Sequence, residues 1–195
     1  MPEDKKIKEV VKYLFEAGQL SEVKRSGDLL IGIKNPQTVA EHSFRAAIVA
    51  YMIGKIENIN AEKAALTILF HDMPETRIGD VHKVGQRYID SKSAEKKAFE
   101  EQIAPLPEEI KKSLKNLDYG NGDSSPEGTV ARDADLIECA LQYKEYLEKG
   151  HKDAQDWLNN IRKILKTKTA KKMLDEIESS DPNSWWKGLK KIERY

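Results

Sequence analysis

Cysteine is almost absent from this sequence, because Cys139 is the only one among 195 residues. A single thiol can form neither an intrachain disulfide framework nor a thiolate cluster around a metal ion. This scarcity excludes the small scaffolds that depend on disulfides, and it agrees with the reducing environment of the cytoplasm. We therefore expect a cytoplasmic protein.

An excess of charge of either sign is also missing, since 33 Lys and Arg residues balance 33 Asp and Glu residues. The isoelectric point near 6.9 shows that the sequence lacks the basic excess with which proteins neutralise the phosphates of nucleic acids. We therefore expect no nucleic-acid polymer as a partner. A small anionic ligand needs only a few local cations and is not excluded.

Long hydrophobic runs are missing as well. No apolar run approaches the roughly 18 residues that span a bilayer. The first residues, MPEDKKIKEV, lack the apolar centre of a signal peptide. We expect no membrane as a partner. The chain, with 39% hydrophobic residues, is nevertheless long enough for one domain with a full core.

The apolar residues that are present recur at helical spacing, whereas alternating β-branched runs are nearly absent. A first helix is predicted to end at Gly18. Thr38 and Glu41 form a capping-box pattern that opens a second helix. Asn60 opens a third helix, which is predicted to break near Pro74.

The rest of the chain continues this helical pattern. Ser91 or Ser93 is expected to cap a fourth helix, and a long sixth helix is predicted over about residues 129–149. The segment LLIGI, residues 29–33, is interpreted as a short extended piece, and residues 118–128 are interpreted as a loop. We predict one all-α domain over residues 1–195, with a core of about 5–165 and a helical C-terminal tail of about 166–195.

The stretch ILFHDMPETRIGD, residues 68–80, places polar groups at the end of an apolar helix. His71 and Asp72 are adjacent, so on a helix their side chains diverge by about 100°. At a helix end they can therefore coordinate one ion from two sides. Burying both without compensation is costly, and a divalent cation between them supplies that compensation. A pair that only caps the helix, or ties it to its neighbours, explains the local pattern equally well.

Two other helices carry residues of the same chemistry. His42 lies beside core-facing residues of the second helix, and by itself it is best interpreted as a hydrogen-bonded core histidine. Asp135 borders the apolar face of the sixth helix and is the better candidate ligand for a shared cation. Asp133 points to nearly the opposite side, so we expect it near the surface or paired with a basic residue.

Taken in order, His42, the His71–Asp72 dipeptide and Asp135 resemble the H…HD…D pattern of the HD-domain superfamily of metal-dependent phosphohydrolases. The segments EHSFRAA, LFHDMPETRIGD and RDADLIECALQYKEY are similar to three signature segments of its small, single-domain 5'-deoxynucleotidase branch. This resemblance covers about residues 5–165. It implies an all-α, single-domain HD-domain helical bundle with a helical C-terminal extension, which hydrolyses deoxyribonucleoside 5'-monophosphates to deoxynucleoside and phosphate.

The same resemblance implies roles for individual residues. One divalent ion (Mn, Co, Fe, Ni, Zn or Mg) would be held by His42, His71, Asp72 and Asp135. Glu75 takes the place of the acidic residue that positions or activates the attacking water, and Asp80 that of a second acidic residue of the pocket. Arg25 matches an arginine that contacts the substrate phosphate, for which its planar fork is suited.

Two departures from the family pattern concern the sugar and base of the substrate. Asp28 stands where many relatives place an aromatic residue able to stack on a nucleobase. His82 and Lys83 stand where relatives often carry Thr and Pro, and we expect Lys83 to add a phosphate contact. The resemblance, together with the Trp-bearing C-terminal part, also predicts a homodimer.

Two alternatives stay open at this point. A different HD phosphohydrolase would act on another nucleotide, such as a cyclic dinucleotide or an alarmone. Alarmone hydrolases usually carry a Glu-Asp pair after the dipeptide, whereas here Glu75 is followed by Thr76. A non-catalytic helical binding module with a vestigial metal site would have lost ligands, and all those that the resemblance implies are present in the sequence.

Overall fold

The structure, a computed structural model, describes residues 2–117 and 125–189. Within these two ranges the chain is an all-α bundle without a β-strand, which confirms the predicted fold class. In chain order the helices are α1 (Glu3–Gly18), α2 (Ser26–Leu30), α3 (Val39–Ile56), α4 (Ala61–His71), α5 (Glu75–Ile78), α6 (Ser91–Ile103), α7 (Glu108–Lys115), α8 (Pro126–Glu148), α9 (Ala154–Ile164), α10 (Lys168–Ser179) and α11 (Ser184–Lys187). None of the helices formed by these residues has the length and apolarity that crossing a bilayer requires.

Three helices, α3, α4 and α8, pack against one another at the centre of the bundle. Ile53, Ile68 and Ile137 lie on the facing sides and are fully buried. Each such side chain contributes about 1.5–3 kcal/mol to the free energy of unfolding, so this packing holds the three helices in one relative position. On another side, α8 is covered by α9 and α10.

A second apolar cluster lies beside the first and includes Tyr13, Val39, Met73 and Ile103. It joins α1 and α6 to the start of α3 and to the turn after α4. Met73 directly follows the His-Asp dipeptide, so the cluster anchors the backbone next to it. The polar residues of the candidate site therefore lie where the two apolar clusters meet.

Local caps set where the central helices begin. The N–H of Glu41 donates to Thr38 Oγ1 at 3.1 Å, and the N–H of Thr38 donates to the Glu41 carboxylate at 2.6 Å. This reciprocal pair is the predicted capping box, and it fixes the phase of α3. The N–H of Lys63 donates to Asn60 Oδ1 at 2.9 Å, as expected for the start of α4.

Two local predictions were wrong. Neither serine caps α6, because Asp90 precedes the helix and its Oδ1 accepts the N–H of Ser93 at 3.1 Å. The segment 29–33 is not extended, since it completes α2 and the turn that follows, where Gly32 has a φ of +78°. Asp28 on α2 is buried against α8 and accepts a hydrogen bond from the Tyr146 hydroxyl at 2.9 Å. This contact holds α2 and the following turn against α8.

The remaining predictions concern the connections and the tail. Of the predicted loop 118–128, residues 118–124 lie outside the described residues, and α8 already begins at Pro126. Within the predicted helical tail of about 166–195, the described residues form α10 and α11, while residues 190–195 lie outside the described part. The domain bounds, with a core of about 5–165, stay a prediction.

Candidate active site

The candidate metal ligands come together from three helices. His42 lies on α3, His71 and Asp72 lie at the end of α4, and Asp135 lies on α8. His42 Nε2 is 3.0 Å from Asp135 Oδ1 and 3.7 Å from Asp72 Oδ2. His71 Nε2 is 3.7 Å from Asp72 Oδ1. Two imidazoles and two carboxylates thus form one connected group between the central helices. We call it the metal group, because its members are the predicted metal ligands.

The group is buried on one side and open on the other. His42 is fully buried, whereas the side chains of His71 and Asp135 keep 25% and 30% of their surface exposed. A small ligand can therefore reach the group from the side of His71 and Asp135. His42 Nε2 is a buried atom that finds no well-directed hydrogen-bond partner among the described residues. A buried nitrogen that faces two carboxylates without such a bond fits a cation in this space.

The charges of this group are strongly coupled. Burial and the nearby Arg25 guanidinium disfavour the protonated ring of His42, but the adjacent carboxylates of Asp135 and Glu138 outweigh both and raise its pKa to about 9. Burial disfavours the charge on Asp135, yet the positive groups around it hold its pKa well below the ordinary value. Because a metal ion binds neutral imidazole, loading the site must release the proton of His42.

The other ring nitrogen of His42 contacts a residue that the sequence analysis does not assign to the site. Nδ1 makes a very short hydrogen bond to Glu138 Oε2. Glu138 is fully buried, and its second oxygen accepts a hydrogen bond from Arg45 Nε at 2.9 Å. The signal in the sequence that could have revealed Glu138 is a carboxylate inside the apolar run LIECAL, on the face of α8 that packs inward.

Asp133 does not lie where it was expected. It is fully buried, and no basic side chain pairs with it among the described residues. Its carboxylate instead accepts the backbone N–H of Lys166 at 3.0 Å and that of Thr167 at 2.6 Å. These N–H groups come just before α10, where the helix leaves donors unpaired and favours negative charge. Asp133 therefore ties α8 to α10 and is separate from the metal group.

Arg25 reaches the site from the N-cap position of α2. Its Nη1 is 4.0 Å from Asp72 Oδ2, and its Nη2 donates to Cys139 Sγ at 3.5 Å. Burial opposes its charge, but the surrounding acidic groups raise its pKa. The guanidinium is therefore held beside the metal group as a fixed positive charge. Its contact with a substrate phosphate stays a prediction.

Glu75 is the first residue of α5, directly after the turn that ends α4. Burial, followed by the charges of Asp72 and Asp80, raises the pKa of Glu75 well above its ordinary value. Its Oε2 is buried and has no hydrogen-bond partner within the described ranges. A carboxyl group with these properties is suited to exchange a proton with a bound molecule.

Asp80 has a clear local partner, because its Oδ2 accepts the backbone N–H of Ser26 at 2.5 Å. Ser26 follows Arg25, and its hydroxyl accepts the N–H of His82 at 3.0 Å. The two bonds fasten the segment after α5 to the first turn of α2. Asp80 therefore holds the backbone that presents Arg25 and also adds negative charge near Glu75.

The residues that depart from the family pattern lie at the rim of this site. His82 Nδ1 accepts the N–H of Gly85 at 3.0 Å. Lys83 is exposed and donates to Gln86 at 3.1 Å. Burial raises the pKa of Glu95 on α6, and the positive charge of Lys83 opposes this rise. The proposed phosphate contact of Lys83 stays a prediction. Asp28 is turned into the protein towards Tyr146, so it does not occupy an open base-stacking position.

Cys139 on α8 is a further neighbour of the site. Its Sγ lies within 4.8 Å of ligand atoms of His42 and Asp135. Burial raises the pKa of the Cys139 thiol well above its ordinary value, so the sulfur is held as a neutral thiol. We therefore interpret it as packing support for the Arg25 guanidinium.

The helices that carry these residues lie within a span that matches a known family. The family model described as HD domain matches residues 17–178. The chain belongs to the HD domain family. This membership confirms the resemblance that the H…HD…D pattern predicts. The matched span includes the His71–Asp72 dipeptide.

Relatives of this HD-domain chain include proteins of established activity. The human 5'-deoxynucleotidase HDDC2 is 27% identical over 174 residues, which cover 87% of this chain and 85% of the human protein. The 5'-deoxynucleotidase hdd1 of Schizosaccharomyces pombe is 28% identical, covering 90% of this chain and 92% of the yeast protein. Among solved structures, a protein of Archaeoglobus fulgidus is 32% identical with a TM-score of 0.66, covering 92% of this chain and 99% of the other. The predicted 5'-deoxynucleotidase branch is thereby supported over most of the chain.

Proposed function

We propose that this protein is a metal-dependent phosphohydrolase that converts deoxyribonucleoside 5'-monophosphates into deoxynucleosides and phosphate. The observation that carries the proposal is the meeting of two histidines and two aspartates beside the Arg25 guanidinium. The curated relatives that align with most of this chain are 5'-deoxynucleotidases, which supports the substrate class.

The proposed cofactor is one divalent ion, held by His42, His71, Asp72 and Asp135. Neutral imidazole nitrogens and carboxylate oxygens are donors that suit first-row metal ions, and two carboxylates balance the charge of one such ion. When bound, the ion would polarise a phosphate oxygen as a Lewis acid and lower the pKa of a water molecule. Mn, Co, Fe, Ni, Zn and Mg are the candidates, because affinity alone does not decide which one a cell supplies.

The other residues of the site have separate roles in the proposal. Arg25 binds the phosphate of the substrate through its planar fork. Glu75 takes a proton from the attacking water or passes one to the leaving oxygen, for which its raised pKa is suited. Asp80 acts beside it, since its charge raises the pKa of Glu75 and its hydrogen bond holds the backbone next to Arg25.

Phosphate release tests this proposal directly. The purified protein is first stripped of metal and then incubated with Mn²⁺, Co²⁺ or Mg²⁺ and a panel of deoxyribonucleoside and ribonucleoside 5'-monophosphates. We expect release of inorganic phosphate from the deoxyribonucleotides and none without metal. A protein that binds the metal but releases phosphate from no monophosphate would overturn the proposal and favour a binding module. Cleavage only of a cyclic dinucleotide or an alarmone would favour a different HD phosphohydrolase.

Substitution of Arg25 tests its proposed role in binding phosphate. We expect Arg25→Ala to raise KM by about 10–100-fold and to lower kcat much less, because uniform binding energy is lost. Lys24→Ala is the matched control, since it removes the neighbouring, exposed cation. Steady-state kinetics of both variants make the check. An unchanged KM in Arg25→Ala would place the phosphate elsewhere.

The homodimer and the cytoplasmic location stay predictions. Exposed apolar side chains on the outer face of α3 support the homodimer, because a contiguous apolar surface marks an interaction site. They recur at a spacing of four residues and are Phe44, Ile48, Met52 and Ile56. The role of the Trp185–Trp186 pair has no structural explanation, and Trp185 is itself exposed.

A further inference from the structure

One buried carboxylate lies next to the metal group without belonging to it. Glu138 on α8 is fully buried, and both of its oxygens have partners. Oε2 bonds to His42 Nδ1, and Oε1 accepts from Arg45 Nε at 2.9 Å. Gln37 Nε2 also approaches the two oxygens, at 3.3 and 3.2 Å. A buried charge is costly unless it is paired and hydrogen-bonded, and this one is held by a complete set of donors.

The two nitrogens of the His42 ring face different groups. Nδ1 faces Glu138, whereas Nε2 faces Asp135 at 3.0 Å and Asp72 at 3.7 Å. A neutral imidazole carries its proton on one nitrogen only, and the hydrogen bond at that nitrogen decides which one. The carboxylate of Glu138 accepts a hydrogen bond from the Nδ1–H group, so the lone pair of the neutral ring lies on Nε2, directed at the two aspartates.

We propose that Glu138 is a positioning residue, which fixes the tautomer and the orientation of His42 and so prepares Nε2 to bind the divalent ion. Arg45 balances the charge of Glu138, because its Nη2 lies 2.8 Å from Glu138 Oε1. A separate nitrogen of the same guanidinium, Nη1, lies 2.6 Å from Glu145. This inference rests on the proposed metal-dependent function.

The expected size of the effect follows from this geometry. Partners that orient a metal-ligating histidine typically change metal affinity by about 10–100-fold when they are removed. We expect Glu138→Ala to weaken Mn²⁺ binding within that range. Glu138→Gln keeps the volume and one acceptor oxygen but loses the charge, so its affinity should lie between that of Glu138→Ala and that of the unaltered protein.

Glu145→Gln is the matched control. It removes the other acidic partner of Arg45 on the same helix. Glu145 makes no hydrogen bond to His42 among the described residues. We expect its Mn²⁺ affinity to stay within about twofold of the unaltered protein, well below the 10–100-fold change expected of a residue that orients the ligand. The same calorimetric titration of the full-length, metal-stripped protein serves all the variants.

Two further readouts separate positioning from a merely structural role. The thermal midpoint of each metal-free variant reports the stability of the fold. The ¹⁵N spectrum of the His42 imidazole in the Zn²⁺-loaded protein reports which nitrogen carries the proton. We expect a proton on Nδ1 that is hydrogen-bonded to Glu138 and loses this bond in Glu138→Ala.

The outcomes are distinct. If the unaltered protein binds no divalent ion, the proposed function fails together with this inference. If it binds Mn²⁺ and both Glu138 variants bind within twofold of it, Glu138 does not position the ligand and this inference alone is overturned. A lowered thermal midpoint with unchanged affinity would likewise assign Glu138 a structural role only. If Glu138→Ala does not fold, Glu138→Gln carries the test, and an affinity equal to that of Glu145→Gln would overturn the proposal.

Discussion

Glu75→Gln is expected to lower kcat by about 10²–10⁴-fold, the usual contribution of a positioned acid or base. The substitution keeps the shape of the side chain but removes the group that exchanges a proton. Glu75 lies outside the proposed ligand set, so the affinity for Mn²⁺ should change little. A rate measurement on the metal-loaded variant, beside a metal titration, separates the two quantities.

The environment of Glu75 is the reason for expecting so large an effect. Burial and the charges of Asp72 and Asp80 raise its pKa well above the ordinary value, and its Oε2 has no hydrogen-bond partner in the described part of the chain. A carboxyl oxygen that is buried without a hydrogen-bond partner among the described residues is available for proton transfer. Carboxyl groups such as those of Glu62 and Glu101 are instead engaged in ion pairs on the surface, and these have no comparable freedom.

A control for Glu75→Gln is available on the neighbouring helix. Glu101 on α6 is exposed and pairs with Arg77, which is on α5 like Glu75 itself. Glu101→Gln should leave both kcat and metal affinity unchanged, since surface ion pairs contribute little. A Glu75→Gln variant that kept a near-normal rate would show that another group handles the proton.

Asp135→Asn is expected to weaken the binding of the divalent ion by more than about 100-fold and to abolish phosphate release. That loss exceeds the 10–100-fold change typical of residues that only orient a ligand, because here a charged donor is removed. The apo protein should still fold, since Asp135 lies at the open side of the group with 30% of its side chain exposed. Metal titration and circular dichroism make the check.

Asp133→Asn is the matched control for this prediction, because it is the same change two residues earlier on the same helix. Its carboxylate accepts the N–H groups of Lys166 and Thr167 at the start of α10. We expect it to lower the free energy of unfolding by about 1–3 kcal/mol, the cost of disturbing a buried hydrogen-bond partner, while metal affinity is retained. Equal metal loss in the two variants would show that the effect at Asp135 is structural rather than one of ligation.

Asp133 and Asp135 show how far helical periodicity alone can predict the surroundings of a residue. The sequence separates the two residues correctly, since residues two apart on a helix point to nearly opposite sides. It places Asp133 wrongly at the surface, because both sides of α8 are covered. The helices α9 and α10 pack on α8, and the start of α10 supplies the donors that make a buried Asp133 stable.

The sequence by itself determined the helical content, the capping box of Thr38 and Glu41, and the order of the residues in the H…HD…D pattern. These features depend on neighbours within a few residues, whose geometry the helix itself imposes. The family match and the fold confirm this part of the prediction.

Only the tertiary structure decided which distant groups meet. Glu138 contacts His42 across 96 positions of the chain, and the hydrogen bond of Arg25 to Cys139 spans 114. Such contacts depend on how α2, α3 and α8 pack, which is set by the shape of the apolar cores and not by local spacing. The sequence therefore predicts the candidate ligands and Arg25, while the packing of the helices brings Glu138 to His42 and the guanidinium of Arg25 to Cys139.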